Sequence, residues 1–254
     1  MKHPAAPLRT VLGRPYRGAV EIAALFALYA AYEVVRGFGS PSFHAARAHS
    51  DAIVSLERRL HVFAESGIQD WASDVPFLPG VLGLAYITLH VVATSAVLVW
   101  VYRSRRAHFA LVRTSLVVST AISLVVYVVY PAAPPRLAGL GFADTVTEQA
   151  HVNLSSDVLG SFYNPFAAVP SLHFGYALLV GLVVARLARS RVVRAAGAFY
   201  PAFMLFTIVA TGNHFVFDAV AGGIVTVAGF MVARRLAAPR AIVRPPAAVA
   251  SAPC

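Results

Sequence analysis

Apolar positions run without any Asp, Glu, Lys or Arg through residues 75–102, 114–135, 158–185 and 195–217, and each run is bounded by Arg or Asp. At about 1.5 Å of rise per residue, roughly 20 apolar residues cross the ~30 Å hydrocarbon core of a bilayer. Two further runs are nearly as apolar: 18–35, with Glu21 and Glu33 towards its ends, and 213–233, with Asp218 near its start. The pattern predicts an all-α polytopic membrane protein with six transmembrane helices, at 18–36, 77–101, 110–130, 170–187, 193–211 and 213–234. Residues 45–63 read differently. Arg47, Asp51, Glu57, Arg58 and Arg59 interleave with Ile53, Val54, Leu56 and Leu60, which predicts an amphipathic helix lying at the interface. Residues 131–169, rich in Pro, Gly and small polar side chains, predict a long cap loop of the kind that often carries function. The chain divides into an N-terminal segment 1–17, a membrane domain 18–236 and a Pro/Ala-rich tail 237–254 read as disordered.

Charge orients this frame. Only 13% of residues are charged, yet the formal net charge is +10. The basic residues are dispersed rather than gathered into the patch that a nucleic-acid partner requires. An inside N-terminus puts four basic groups on one side: Lys2, Arg9, Arg14 and Arg17; Arg103, Arg105, Arg106 and Arg113; Arg186, Arg189, Arg191 and Arg194; and Arg234, Arg235, Arg240 and Arg244. The positive-inside rule makes that side, with both termini, cytoplasmic. The Arg-, Ala- and Val-rich composition reads as that of a GC-rich bacterial genome, hence an inner membrane. The single cysteine, Cys254, leaves no pairing within the chain, and the N-terminus does not read as a cleaved signal peptide.

Ionisable groups at membrane depth are functional candidates by default. His214 and Asp218, four apart at the start of the last span, share a helix face. A carboxylate there fixes the imidazole tautomer and leaves the other nitrogen as base or nucleophile; a polar pair joining helices is the plainer reading. Asn213 is expected as the N-cap. The stretch Val169-Pro170-Ser171-Leu172-His173 opens the fourth span, with Pro170 expected at the first helical position, Ser171 and free N–H groups available to an anion, and His173 as a proton donor. Arg136, where the third span meets the outside, suits phosphate oxygens, although a lone interfacial arginine often only anchors headgroups. All three sites fall on the outer side. Tyr86 and His90, four apart on the second span, are read as a buried hydrogen-bonded pair, with a site sunk into the bundle as the alternative.

The ordered set PAAPPR at 131–136, PSLHFGYA at 170–177 and NHFVFDAVAGG at 213–223 resembles the type 2 phosphatidic acid phosphatase (PAP2) superfamily. Within it, the set is most similar to the branch of inositol phosphorylceramide synthases and their bacterial relatives. The resemblance covers residues 18–236 and implies a phosphohistidine enzyme of lipid metabolism. In it His214 is the nucleophile oriented by Asp218, His173 protonates the leaving alkoxide and activates the acceptor, and Arg136 and Ser171 hold phosphate. It implies no cofactor or metal, a phospholipid or lipid-phosphate substrate, and a lipid alcohol or water as acceptor. Three departures stand out: Val129 replaces the usual first-motif lysine, Leu137 replaces a proline, and Thr207 and Ile208 replace a Ser-Arg pair. They leave fewer cations for phosphate and tilt the expectation from phosphatase to headgroup transferase. Arg47, Arg58 or Arg59 is a possible source of charge in their place. Two other classes compete. One is a zinc hydrolase on His173, His214 and Asp218; the other is a lipid transporter, whose polar groups would sit near the midplane.

Overall fold

The computed structural model describes residues 42–150 and 164–237, together with Ala27 and Ala30. Its helices are α1 (Phe43–Arg59), α2 (Glu65–Asp74), α3 (Leu78–Ser104), α4 (Arg106–Val129), the short α5 (Thr145–Glu148), α6 (Leu172–Leu187), α7 (Arg191–Ala210) and α8 (Val216–Ala237). Among the described residues there is no strand, only an isolated bridge between Ala132 and Ala167. The described fold is all-helical.

Four described helices, α3, α4, α7 and α8, are long and apolar enough to cross a membrane. They answer to the spans expected at 77–101, 110–130, 193–211 and 213–234. The span expected at 170–187 is the 16-residue α6, about 24 Å long at 1.5 Å per residue and thus shorter than the hydrocarbon core. The first expected span lies outside the described residues except for Ala27 and Ala30, which are helical. The expectation of six spans therefore stands at four among the described residues.

Helix packing is close because small residues meet at the seams. A Cβ on Gly229 of α8 would lie 2.3 Å from Ser119 Oγ of α4, and one on Gly181 of α6 would lie 2.5 Å from the Gly197 carbonyl of α7. Small residues at such seams let helix backbones approach in a bilayer, where lipid chains are as apolar as leucine. The outward stripe of α8, Val220, Ile224, Val227 and Met231, is exposed, as a lipid-facing surface should be. The core sits where α3, α6, α7 and α8 meet, around Tyr86, Ala177, Met204, Ile208 and Ala219.

Across one end of this bundle lies α1, with Ala46, Ser50, Ile53, Val54 and Glu57 buried. The first part of the cap loop is stitched to it: Ala133 N–H donates to the Ala46 carbonyl at 3.2 Å, and Ser50 Oγ donates to the Ala133 carbonyl at 2.7 Å. Helix α2 is tied in through Gln69, which donates to the Ala143 carbonyl at 3.1 Å and accepts from Ala143 N–H at 2.9 Å.

Candidate active site

The α7–α8 turn builds the site. Gly212 has φ +64°, and a Cβ there would meet Gln69 Nε2 at 2.8 Å, so only glycine makes this turn without strain. Asn213 and His214 N–H both donate to the Ile208 carbonyl at 3.1 Å. Helix α8 begins at Val216, so His214 lies just ahead of the helix and Asn213 is not its N-cap. The Asn213 side chain instead donates to Thr211 Oγ1 at 3.0 Å and accepts from Arg136 Nε at 2.9 Å.

His214 and Asp218 meet all the same, because the Asp218 carboxylate reaches back over the helix start. Its Oδ2 accepts from Phe215 N–H at 2.9 Å and lies 3.2 Å from His214 Nδ1. That nitrogen is also 3.0 Å from the Ala168 carbonyl oxygen. Facing two acceptors, Nδ1 carries the proton, and the lone pair resides on Nε2. Nε2 is buried and has no hydrogen-bond partner among the described residues.

The His214 ring lines a cavity of about 310 Å³ together with Tyr86, His90, His173, Tyr176 and Asn213. The His173 ring centroid is 5.5 Å from that of His214. Tyr86 stacks on His173 at 4.3 Å with 19° between planes, and the His90 ring meets the His173 ring edge-on at 4.1 Å. Tyr86 and His90 thus belong to the cavity wall. The two are hydrogen-bonded within α3, with His90 Nδ1 3.0 Å from the Tyr86 carbonyl oxygen.

Two expected phosphate ligands stand elsewhere. Ser171 is the N-cap of α6, its Oγ accepting from Phe174 N–H at 3.4 Å and its N–H donating to the Asp218 carbonyl at 2.9 Å. The helix starts one residue later, at Leu172, so Pro170 precedes the cap and does not occupy the first helical position. Arg136 bridges Asn213 and Asp144, its NH1 2.8 Å from Asp144 Oδ2, and its side chain is 3% exposed. Neither residue is part of the cavity lining. The departures from the motif have clear addresses too: Val129 is 70% exposed on the outside of α4, while Thr207 and Ile208 are fully buried in α7. Arg58 lies over the Phe63 ring at 5.0 Å and Arg47 against Gly139, away from the cavity. Among the described residues no three His, Cys, Asp or Glu side chains converge as metal ligands.

Residues that sequence reasoning did not single out complete the site. Glu57 of α1 accepts from Phe217 N–H at 2.7 Å, and Glu65 of α2 accepts from Val216 N–H at 2.9 Å. Burial, with Glu65 and Asp218 nearby, pushes the Glu57 carboxyl up to about 8, against the Phe217 N–H bond that lowers it. A signal for Glu57 was present: it continues the buried phase of Ala46, Ser50, Ile53 and Val54 at helical spacing. Asp144, which holds Arg136 and accepts from Thr147 Oγ1 at 3.0 Å, sits in the cap loop without any periodic cue.

No curated protein and no solved structure gives a significant match to this chain. Residues 51–232 match the family model described as PAP2 superfamily, and that span holds every side chain of the site just described. The chain belongs to the PAP2 superfamily.

Proposed function

We propose that this membrane protein is a phospholipid headgroup phosphotransferase, of the inositol phosphorylceramide synthase type, working through a phosphohistidine on His214. Membership of the superfamily points to a phosphatase or phosphotransferase acting on lipid phosphates. The observation that carries the reading is the His214 ring: Nδ1 is engaged by Asp218 and the Ala168 carbonyl, while Nε2 is buried without a partner in the wall of a cavity.

In the first step Nε2 attacks phosphorus, a P–N bond forms, and the P–O bond to the leaving lipid alcohol breaks. His173, on the same wall, gives its proton to the departing alkoxide. In the second step an acceptor hydroxyl gives its proton back to His173 and attacks phosphorus, and the P–N bond breaks. Asp218 stabilises the charge that His214 develops. None of these steps draws on a metal ion. Among the described residues no Lys or Arg lines the cavity, which favours a singly charged phosphodiester over a doubly charged monoester. The clusters at Arg103–Arg106 and Arg186–Arg194 lie at the far ends of α3 and α6 from His214, so we place the site on the extracytoplasmic side of six spans.

Purified protein in detergent, given phosphatidylinositol or phosphatidic acid with and without diacylglycerol or ceramide, tests the reading by lipid mass spectrometry. A new headgroup-bearing lipid that disappears in His214→Ala is expected. Acceptor-independent release of inositol phosphate or phosphate would make the enzyme a lipid phosphatase instead. Turnover that survives in His214→Ala would sink the phosphohistidine.

A further inference from the structure

The first N–H groups of a helix have no partner within it and are usually met by a local cap, by water or by a ligand. In α8 the Asp218 carboxylate takes Phe215 N–H, but no local side chain meets the first two donors inside the helix. The residue before it is Phe215, whose side chain offers no acceptor, and the two donors that follow are met from far away in the chain. Val216 N–H reaches Glu65 of α2, 151 residues earlier, and Phe217 N–H reaches Glu57 of α1, 160 residues earlier. Glu65 is fully buried and Glu57 is 2% exposed. Burying two carboxylates is costly, and the positive end of the α8 dipole offsets part of that cost. A serine at position 215 would meet one of these donors without burying a carboxyl group, so capping alone does not account for the arrangement.

What the arrangement supplies is a fixed position. Two anchors on two different helices hold one turn of backbone in both translation and rotation. The held turn is the one that aims His214. Phe215 N–H and His214 Nδ1 share Asp218 Oδ2, so any shift of Val216 and Phe217 carries Asp218, and with it the imidazole. Glu65 is itself braced: its other oxygen accepts from Ala64 N–H at 2.9 Å.

We infer that Glu57 and Glu65 are positioning residues for His214: their side-chain oxygens take the first free N–H groups of α8 and so fix where Nε2 stands in the cavity. The inference rests on the reading of His214 as nucleophile. It assigns a role to the interfacial segment, which sets the geometry of the reacting nitrogen rather than merely covering the bundle. What matters is the reach of each acceptor, not its charge.

The test separates reach from charge in the full-length protein in detergent. Glu57→Asp and Glu65→Asp keep the carboxyl group but shorten the side chain by one methylene; Glu57→Gln keeps the length and the acceptor oxygen but cannot ionise. The Asp variants are expected to lose about 100-fold in kcat, as misplacement of a reacting group by about 1 Å can cost, with KM unchanged. Glu57→Gln is expected to stay within about threefold of wild type. Ring ¹⁵N shifts of His214, assigned by difference against His214→Ala, give a readout that needs no substrate. Wild type and Glu57→Gln should show the Nδ1–H tautomer, and the Asp variants a mixture. Asp variants with wild-type kcat and shifts would overturn the inference, as would a Glu57→Gln loss as large as that of Glu57→Asp. If His214→Ala retains turnover, the phosphohistidine reading fails instead, and the ring shifts alone decide the inference.

Discussion

His214 Nδ1 stands 3.2 Å from Asp218 Oδ2, and the same oxygen takes Phe215 N–H at 2.9 Å. One carboxylate therefore fixes both the start of α8 and the orientation of the ring beside it. Asp218→Asn can turn its amide N–H towards Nδ1, which favours the tautomer with the proton on Nε2. Turnover is expected to fall by on the order of 10³–10⁴-fold with the fold intact, the scale seen when a triad carboxylate is neutralised. Turnover within tenfold of wild type would remove Asp218 from the mechanism.

Arg136 is bound to Asn213 and Asp144 and acts as a strut under the α7–α8 turn. In thermal stability, Arg136→Ala and Asp144→Ala should be non-additive, with a coupling of about 0.5–3 kcal/mol, as expected for residues in one network. Arg136→Lys should not restore wild-type stability, because one ammonium cannot reproduce the fork that serves both partners. Strictly additive losses would show that the bridge carries little.

Gly222 and Gly223 form a matched pair on α8. A Cβ on Gly222 would stand 2.2 Å from the Ser171 carbonyl oxygen, whereas one on Gly223 meets nothing nearer than Phe174 Cε1 at 3.4 Å. Gly222→Ala should cost about 1–3 kcal/mol through overpacking and lower activity, because Ser171 N–H holds the Asp218 carbonyl. Gly223→Ala should be neutral or gain up to about 1 kcal/mol from helix propensity. Equal melting temperatures for the two variants would contradict the close approach of α6 and α8.

Glu57 makes stability depend on pH in a definite direction. Its carboxyl is raised from an ordinary 4.5 to about 8 in the folded protein, so across that window the folded state holds a proton that the unfolded state releases. Stability is then fully present below the lower value and is lost as pH rises through the upper one. Glu57→Gln cannot ionise. Its melting temperature relative to wild type should rise steadily between about pH 5 and pH 8; a difference that stays flat with pH would refute the assignment.

Much of the frame was legible because a bilayer imposes it. The spans expected at 77–101, 110–130, 193–211 and 213–234 mark α3, α4, α7 and α8 to within four residues at either end. The pairing of His214 with Asp218 was legible from spacing, though for a partly different reason: the helix starts at Val216, and it is the reach of the carboxylate that joins them. Arg136 has neighbours that its motif does not announce. Its residue type suits phosphate, but only the fold brings Asp144, eight residues on, to occupy it. Tyr86 and His90 were visible as a pair on one face of a helix, yet that spacing cannot say that the face turns towards His173. Glu57 carried a signal in the buried phase of α1, but it and Glu65 were passed over because a carboxylate in an amphipathic helix is ordinarily solvated. Their partners are main-chain N–H groups, which leave no mark in a sequence.

The two acceptors on His214 Nδ1 also determine regiochemistry under the proposed function. With that nitrogen held by Asp218 and Ala168, a phosphorus atom can bond only to Nε2, and the enzyme must pass through the 3-phosphohistidine isomer and never the 1-isomer. The trapped species would be an acid-labile, base-stable phosphoramidate, recognised by antibodies that tell the two isomers apart. The hydrogen bond that orients the ring thus also dictates which covalent intermediate a chemist should look for.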